Sequence, residues 1–180
     1  MANSEEKKSP KRSLLEERKN GYYRVGKDEI ARCNAFNEKY KAFLDAAKTE
    51  REAVEYAVKA AEESGFRSFT RGTPLKPGDK IYRVNRGKAI ILAVIGSESL
   101  AAGANIAAAH IDAPRIDIKT TPLYEDFELA YFKTHYYGGI KKYQWLAIPL
   151  ELHGVVGLKS GETVRVCVGK DPSDPVLVIT

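Results

Sequence analysis

The spacing of hydrophobic positions changes character twice along the chain. Ile30, Cys33, Phe36, Tyr40, Phe43, Leu44 and Ala47 recur every three or four positions, which predicts one apolar stripe on a helix, with Asp28 placed to cap its N-terminus. A second helical stretch begins near Thr49, carries Val54, Ala57, Val58 and Ala61 inward, and stops at Gly65, a residue suited to a helix end. After Pro74 and Pro77-Gly78 the pattern becomes that of strands. Residues 80–84 and 88–95 are joined through Asn85-Arg86-Gly87, a hairpin-type connection. Residues 89–95 are nearly all apolar, which predicts a strand covered on both faces, and residues 104–111 form a second such run. Buried strands behind a helical N-terminus predict an α/β sheet core.

From about Pro122 the character shifts again. Residues 128–137, 143–152, 163–168 and 175–179 read as strands, with turns at Gly138-Gly139 and Ser160-Gly161 and no intervening helix. Three regions follow: a mobile tail over 1–20, rich in Lys, Glu and Ser; an α/β part over 21–121; and a β-rich unit over 122–180. Position 180 falls within an apolar run, which predicts that the β unit extends further. Strands 89–95 and 104–111 would then keep an uncovered face or edge, and self-association is expected.

Composition narrows the class. The 180 residues are 43% hydrophobic and 29% charged, as in an ordinary soluble protein. No apolar run reaches the roughly 20 residues of a membrane helix, and the first residues lack the apolar segment of a signal peptide, so no membrane partner and a cytoplasmic location are expected. The formal net charge of +5 raises nucleic-acid binding, but Lys and Arg are interspersed with Asp and Glu, which describes a solvated surface better than a phosphate-binding patch. Cys33 and Cys167 lie far apart, form no metal-binding spacing, and read as buried reduced thiols.

The chemistry sits in Ala107-Ala108-Ala109-His110-Ile111-Asp112-Ala113-Pro114-Arg115. An apolar strand running into His-x-Asp-x-Pro places its polar residues at a strand end, where active-site loops gather in α/β sheets. Alternation puts His110 and Asp112 on one face, roughly 6.6 Å apart along the strand. Such spacing lets one imidazole nitrogen face a metal while a carboxylate in or near the motif holds the other N–H, although a lone His at a strand end is more often a hydrogen-bonded structural residue. Pro114 holds Ala113 in extended geometry. Arg115 and Asp117 read equally as a surface ion pair.

These residues, followed by Ile116-Asp117-Ile118-Lys119 and Pro122-Leu123-Tyr124-Glu125, resemble the aspartyl aminopeptidase family of zinc metallopeptidases. Tyr137-Gly138-Gly139, Trp145 and Leu150-x-Leu152-x-Gly154-Val155-Val156 continue the match over residues 104–157. The resemblance implies the N-terminal part of a zinc-exopeptidase α/β domain, followed by the start of an inserted β-rich assembly domain near Pro122. It implies a two-zinc aminopeptidase acting on peptides and assembling as a homo-oligomer, with His110 as metal ligand and Asp112 as the catalytic carboxylate supporting it. The family's other ligands and its general-base glutamate come from sequence beyond the inserted domain, so these 180 residues alone are expected to be inactive. His135 and His153 read as structural. The better-known members carry Asp-Arg-Asp where this chain has Ala147-Ile148-Pro149, which bears on any preference for acidic N-terminal residues. Arg115 or Lys119 is a candidate cation for such a substrate, with a structural salt bridge as the other role of each; no substrate-binding residue is assigned. Two other readings are a catalytically inactive assembly fragment, and a nucleic-acid-binding β module built on Lys141, Lys142, Tyr136, Tyr137, Tyr143 and Trp145.

Overall fold

A computed structural model describes residues 18–179; the predicted tail lies mostly outside them. The fold is mixed α/β, and the chain divides into two units, one ending at Ala42 and the other running from Phe43 onward. Helix α1 spans Lys27–Ala46, with Asp28 and Glu29 in its first turn where the helix dipole favours acids. None of its residues is buried; of the apolar stripe read from the sequence, Phe36, Tyr40 and Leu44 are exposed, and Phe43 packs edge-on against Tyr56 with ring centroids 5.3 Å apart. Cys33 and Cys167 are free thiols, as expected, but exposed rather than buried.

Helix α2, Glu50–Glu63, starts as the sequence predicts. The Thr49 side chain accepts from the Glu52 N–H, and the Glu52 carboxylate accepts from the Thr49 N–H, so two N–H groups at the helix start are satisfied reciprocally. The helix ends at Ser64, and Gly65 follows with φ +83°. Ala53, Val54 and Ala61 are buried on its inner face.

That face covers a three-stranded sheet of β1 (Arg67–Ser68), β2 (Lys80–Asn85) and β3 (Ala89–Val94), in the order β1-β2-β3. β2 and β3 form the predicted hairpin. Arg86 and Gly87 both take positive φ, and the Lys88 N–H donates to the Asn85 carbonyl at 3.0 Å, as in a tight primed turn. The Tyr82 hydroxyl donates to Glu62 at 2.6 Å, so the Tyr82 face of the sheet lies toward α2. Ile91, opposite Arg83, lies on the other face and is 72% exposed. The prediction of a strand covered on both faces fails: β3 is an edge strand of the sheet, and Ile91, Leu92 and Val94 on its two faces are all exposed. Residues 104–111 likewise form no ladder: they run as irregular backbone.

β4 (Arg115–Asp126) and β5 (Leu129–Tyr137) form a long antiparallel hairpin turning at Phe127-Glu128. β4 is continuous through Pro122, with a register shift between Ile118 and Leu123 that accommodates the proline. β6 (Leu152–Gly157) and β7 (Thr163–Val168) form a second hairpin. The strand predicted over 143–152 is instead a short 3-10 turn at Lys142–Gln144 and irregular chain. Ala147 takes φ +59°, and Pro149 has no N–H to give a ladder. The strand predicted over 175–179 is reduced to isolated bridges, Leu150 with Leu177 and Leu146 with Ile179. The turn after β7 approaches the entry to β6 so closely that a Cβ on Gly169 would lie 2.6 Å from the Leu150 carbonyl oxygen.

Polar contacts tie the start of α2 to the β6–β7 hairpin. His153, with a side chain only 10% exposed, has Nδ1 2.9 Å from Glu52 and Nε2 2.7 Å from Glu151, and Arg165 pairs with Glu55. Partial burial of Glu52 opposes its ionisation, but bonds from His153 and Thr49 prevail and hold its carboxyl below the ordinary value. The stability Glu52 contributes is therefore complete above the unfolded value of about 4.3 and is lost as pH falls through the lowered folded value. Glu52→Gln is expected to cost about 1–2 kcal/mol at pH 7 and to flatten the loss of stability below about pH 4. Thermal unfolding followed by circular dichroism across that range checks it; an acid limb identical to the parent's would remove Glu52 from the account.

Candidate metal-ligand site

His110 and Asp112 lie on a segment without a ladder, so their geometry is set by the hairpin that follows. β4 begins at Arg115, directly opposite Tyr137 at the end of β5, and Asp117 is opposite His135. Opposed residues of an antiparallel pair share a face. The Arg115 guanidinium accordingly lies 4.0 Å from the Tyr137 ring centroid, and its Nε donates to Asp117 Oδ1 at 2.7 Å. The Tyr137 hydroxyl reaches past the strand end and donates to Asp112 Oδ2 at 2.6 Å. Gly138 then turns the chain with φ +70°, beside Pro114.

The other carboxylate oxygen of Asp112 stands 3.1 Å from His110 Nδ1, and the Asp112 main-chain oxygen stands 2.8 Å from the same nitrogen. Both oxygens are acceptors, so Nδ1 carries the proton and donates. Nε2 keeps its lone pair, on a side chain 81% exposed. The Asp112 carboxyl is held below its ordinary value, chiefly by the Tyr137 hydroxyl and also by His110, and the same bond pushes the Tyr137 phenol up. A carboxylate-supported imidazole with its second nitrogen open is the donor arrangement a zinc ligand needs.

Among the described residues no three His, Cys, Asp or Glu side chains gather to hold a metal ion, so His110 fits as one donor of a site and not as a whole one. His135 Nδ1 is bonded to the Tyr136 carbonyl at 3.0 Å. Both nitrogens of His153 meet carboxylates, within a cleft of about 380 Å³ whose charges pair Lys88 with Glu50 and Arg115 with Asp117. Of the aromatic surface weighed for base stacking, Tyr136 has Lys142 4.6 Å from its ring centroid and Tyr137 is turned onto Asp112, while Tyr143 is exposed.

The sequence profile of the Aminopeptidase I zinc metalloprotease family (M18) matches residues 43–180. A protein of Clostridium acetobutylicum named "Probable M18 family aminopeptidase 1" is 47% identical over 171 residues, covering 93% of this chain and 37% of its own length. Among solved structures, aminopeptidase I from Borrelia burgdorferi superposes with a TM-score of 0.81 at 43% identity, over 89% of this chain and 40% of that one. An M18-family aminopeptidase from Thermotoga maritima gives 0.76 at 45% identity, over 90% and 35%.

The chain belongs to the M18 family.

It spans about a third of the length of the curated relatives it matches. As a segment of an M18 protein, it places the two predicted site residues within hydrogen-bonding distance of each other. It also adds one that the spacing did not assign: Tyr137 lies 25 positions beyond Asp112, and its contribution depends on the β4–β5 register. The signal available in the sequence was Tyr137-Gly138-Gly139, whose glycine turn fixes where β5 ends. Gly138→Ala forces a side chain into the left-handed region and is expected to destabilise the chain by about 1–2 kcal/mol. Urea unfolding checks this; an unchanged midpoint would mean that the turn tolerates a negative φ.

Proposed function

We propose that this segment supplies one zinc ligand and its supporting carboxylate to the active site of an aminopeptidase that removes N-terminal residues from peptides. The observation that carries the reading is the imidazole of His110, held at Nδ1 by Asp112 and open at Nε2. Zinc, when bound, makes a coordinated water nucleophilic near neutral pH and polarises the scissile carbonyl. His110 would be one donor, and Asp112 would fix its tautomer and raise its basicity. The other ligands of a two-zinc site, and the glutamate base, belong to parts of the protein other than these residues. Arg115 is committed to Asp117 and Tyr137, so a preference for acidic N-terminal residues would require another cation.

In this reading residues 21–121 belong to the catalytic domain and 122–180 to a β-rich unit through which copies assemble. Support for assembly comes from apolar side chains around the β4–β5 tip, where Phe127 is 88% exposed and Leu123 and Leu129 are exposed beside it. The protein would work in the cytoplasm, where free Cys33 and Cys167 stay reduced. Among the described residues no helix is long and apolar enough to cross a membrane.

The 180-residue chain alone is expected to retain no stoichiometric zinc after dialysis and to cleave no aminoacyl substrate. One or two ions per chain by elemental analysis would overturn that donor accounting. In a full-length enzyme made by joining this segment to the remaining two thirds of the Clostridium acetobutylicum relative, His110→Ala should abolish turnover and weaken zinc retention by more than the roughly 10–100-fold typical of losing an outer partner. Turnover within a few-fold of the parent would sink the assignment of His110.

A further inference from the structure

We propose that Tyr137 is a positioning residue that sets the tautomer and orientation of His110 by acting through Asp112. This rests on the reading of His110 as a ligand, and it adds a residue to which that reading gave no role.

The need for such a residue follows from the backbone. Asp112 has no ladder hydrogen bonds of its own, because strand pairing begins only at Arg115. A carboxylate on unpaired, half-exposed chain turns freely about its side-chain torsion, since that torsion joins tetrahedral and planar centres and has broad wells. Such a group offers an imidazole no fixed acceptor. Tyr137 removes this freedom by bonding Oδ2 at 2.6 Å, which leaves Oδ1 facing His110 Nδ1 at 3.1 Å, beside the Asp112 main-chain oxygen at 2.8 Å from the same nitrogen. The two carboxylate oxygens are thus divided between the two partners.

Tyr137 can act as the anchor because it is itself held. It is the last residue of β5, paired with Arg115, and its ring lies under the Arg115 guanidinium, which Asp117 fixes in turn. Order passes from a paired strand to an unpaired segment through one hydroxyl. The hydroxyl hydrogen-bonds to the Asp112 carboxylate, and its route to His110 runs through that group.

A double-mutant cycle on the 180-residue chain tests this without metal. Long-range 1H–15N spectra at pH 8, where imidazole is neutral, report which nitrogen of His110 bears the proton. The parent should favour Nδ1–H. Tyr137→Phe should shift the population severalfold toward the Nε2–H form, and Asp112→Ala should do so at least as strongly. Tyr137→Phe added to Asp112→Ala should produce no further shift. A parental tautomer ratio in Tyr137→Phe overturns the proposal, and so does an equal added shift in the Asp112→Ala background, which would show an effect that bypasses the carboxylate. Should Tyr137→Phe disturb the β4–β5 pairing, the 13Cζ shift of Tyr137 replaces it as readout: Asp112→Ala must move that shift, and an unmoved shift overturns the proposal. Failure here leaves His110 as a ligand untouched, since that rests on zinc retention by His110→Ala in the full-length enzyme.

Discussion

The pairing of Arg115 with Tyr137 is the constraint on which the geometry around His110 depends. It brings together two residues 22 positions apart and places an aromatic hydroxyl beside the irregular segment that carries His110 and Asp112. In an antiparallel ladder the side-chain period is two, so a slip of one residue would turn Tyr137 to the other face and leave Asp112 without its donor. The Arg115 guanidinium over the ring opposes such a slip, because that contact exists only in this register.

The stabilisation around this site is more polar than the apolar content of the sequence implies. Among the described residues the buried apolar side chains are Ala53, Val54, Ala61, Ile81 and Tyr82, all where α2 meets β2 or beside it. The rest of the linkage is ionic or hydrogen-bonded: Tyr82 to Glu62, His153 to Glu52 and Glu151, and Arg165 to Glu55. His153 is the most enclosed of the groups in the ion pairs and contacts both an α2 residue and a β6 neighbour. Losing either carboxylate would leave a nearly buried imidazole short of a partner, and such a loss costs more than a neutral surface contact.

Features with local causes were legible in the sequence, and features with distant causes were not. The α2 helix with its start near Thr49, the Arg86-Gly87 turn and the strand Thr163–Val168 depend on neighbours a few positions away and lie where the pattern puts them. Residues 104–111 are as apolar as a buried strand, but a strand requires a ladder partner, and none is present among the described residues. β4 escaped the pattern for the opposite reason: Lys119, Thr120, Thr121 and Pro122 break its alternation, yet pairing with β5 carries the strand across them. Within the site, spacing pointed to a carboxylate in or near the motif, and the family resemblance named Asp112, which lies 3.1 Å from His110 Nδ1. Tyr137 was visible as part of a family pattern, but its role required knowing which residue faces Arg115.

The irregularity in β4 explains how one hairpin can hold both an exposed apolar tip and a fixed anchor. Pairing runs from Arg115 to Ile118 against Tyr137 to Thr134, breaks, and resumes at Leu123 against Phe132. Four residues of β4 therefore stand where β5 has only Lys133. A bulge bends and twists the strand locally while leaving the ladder on either side intact. The tip, with Phe127 outward, is set by its own turn at Phe127-Glu128, and the base is set by the Arg115–Tyr137 pair and the Gly138 turn. The hydroxyl at the base thus holds Asp112 from a stretch of ladder that the irregularity separates from the one bearing the exposed tip.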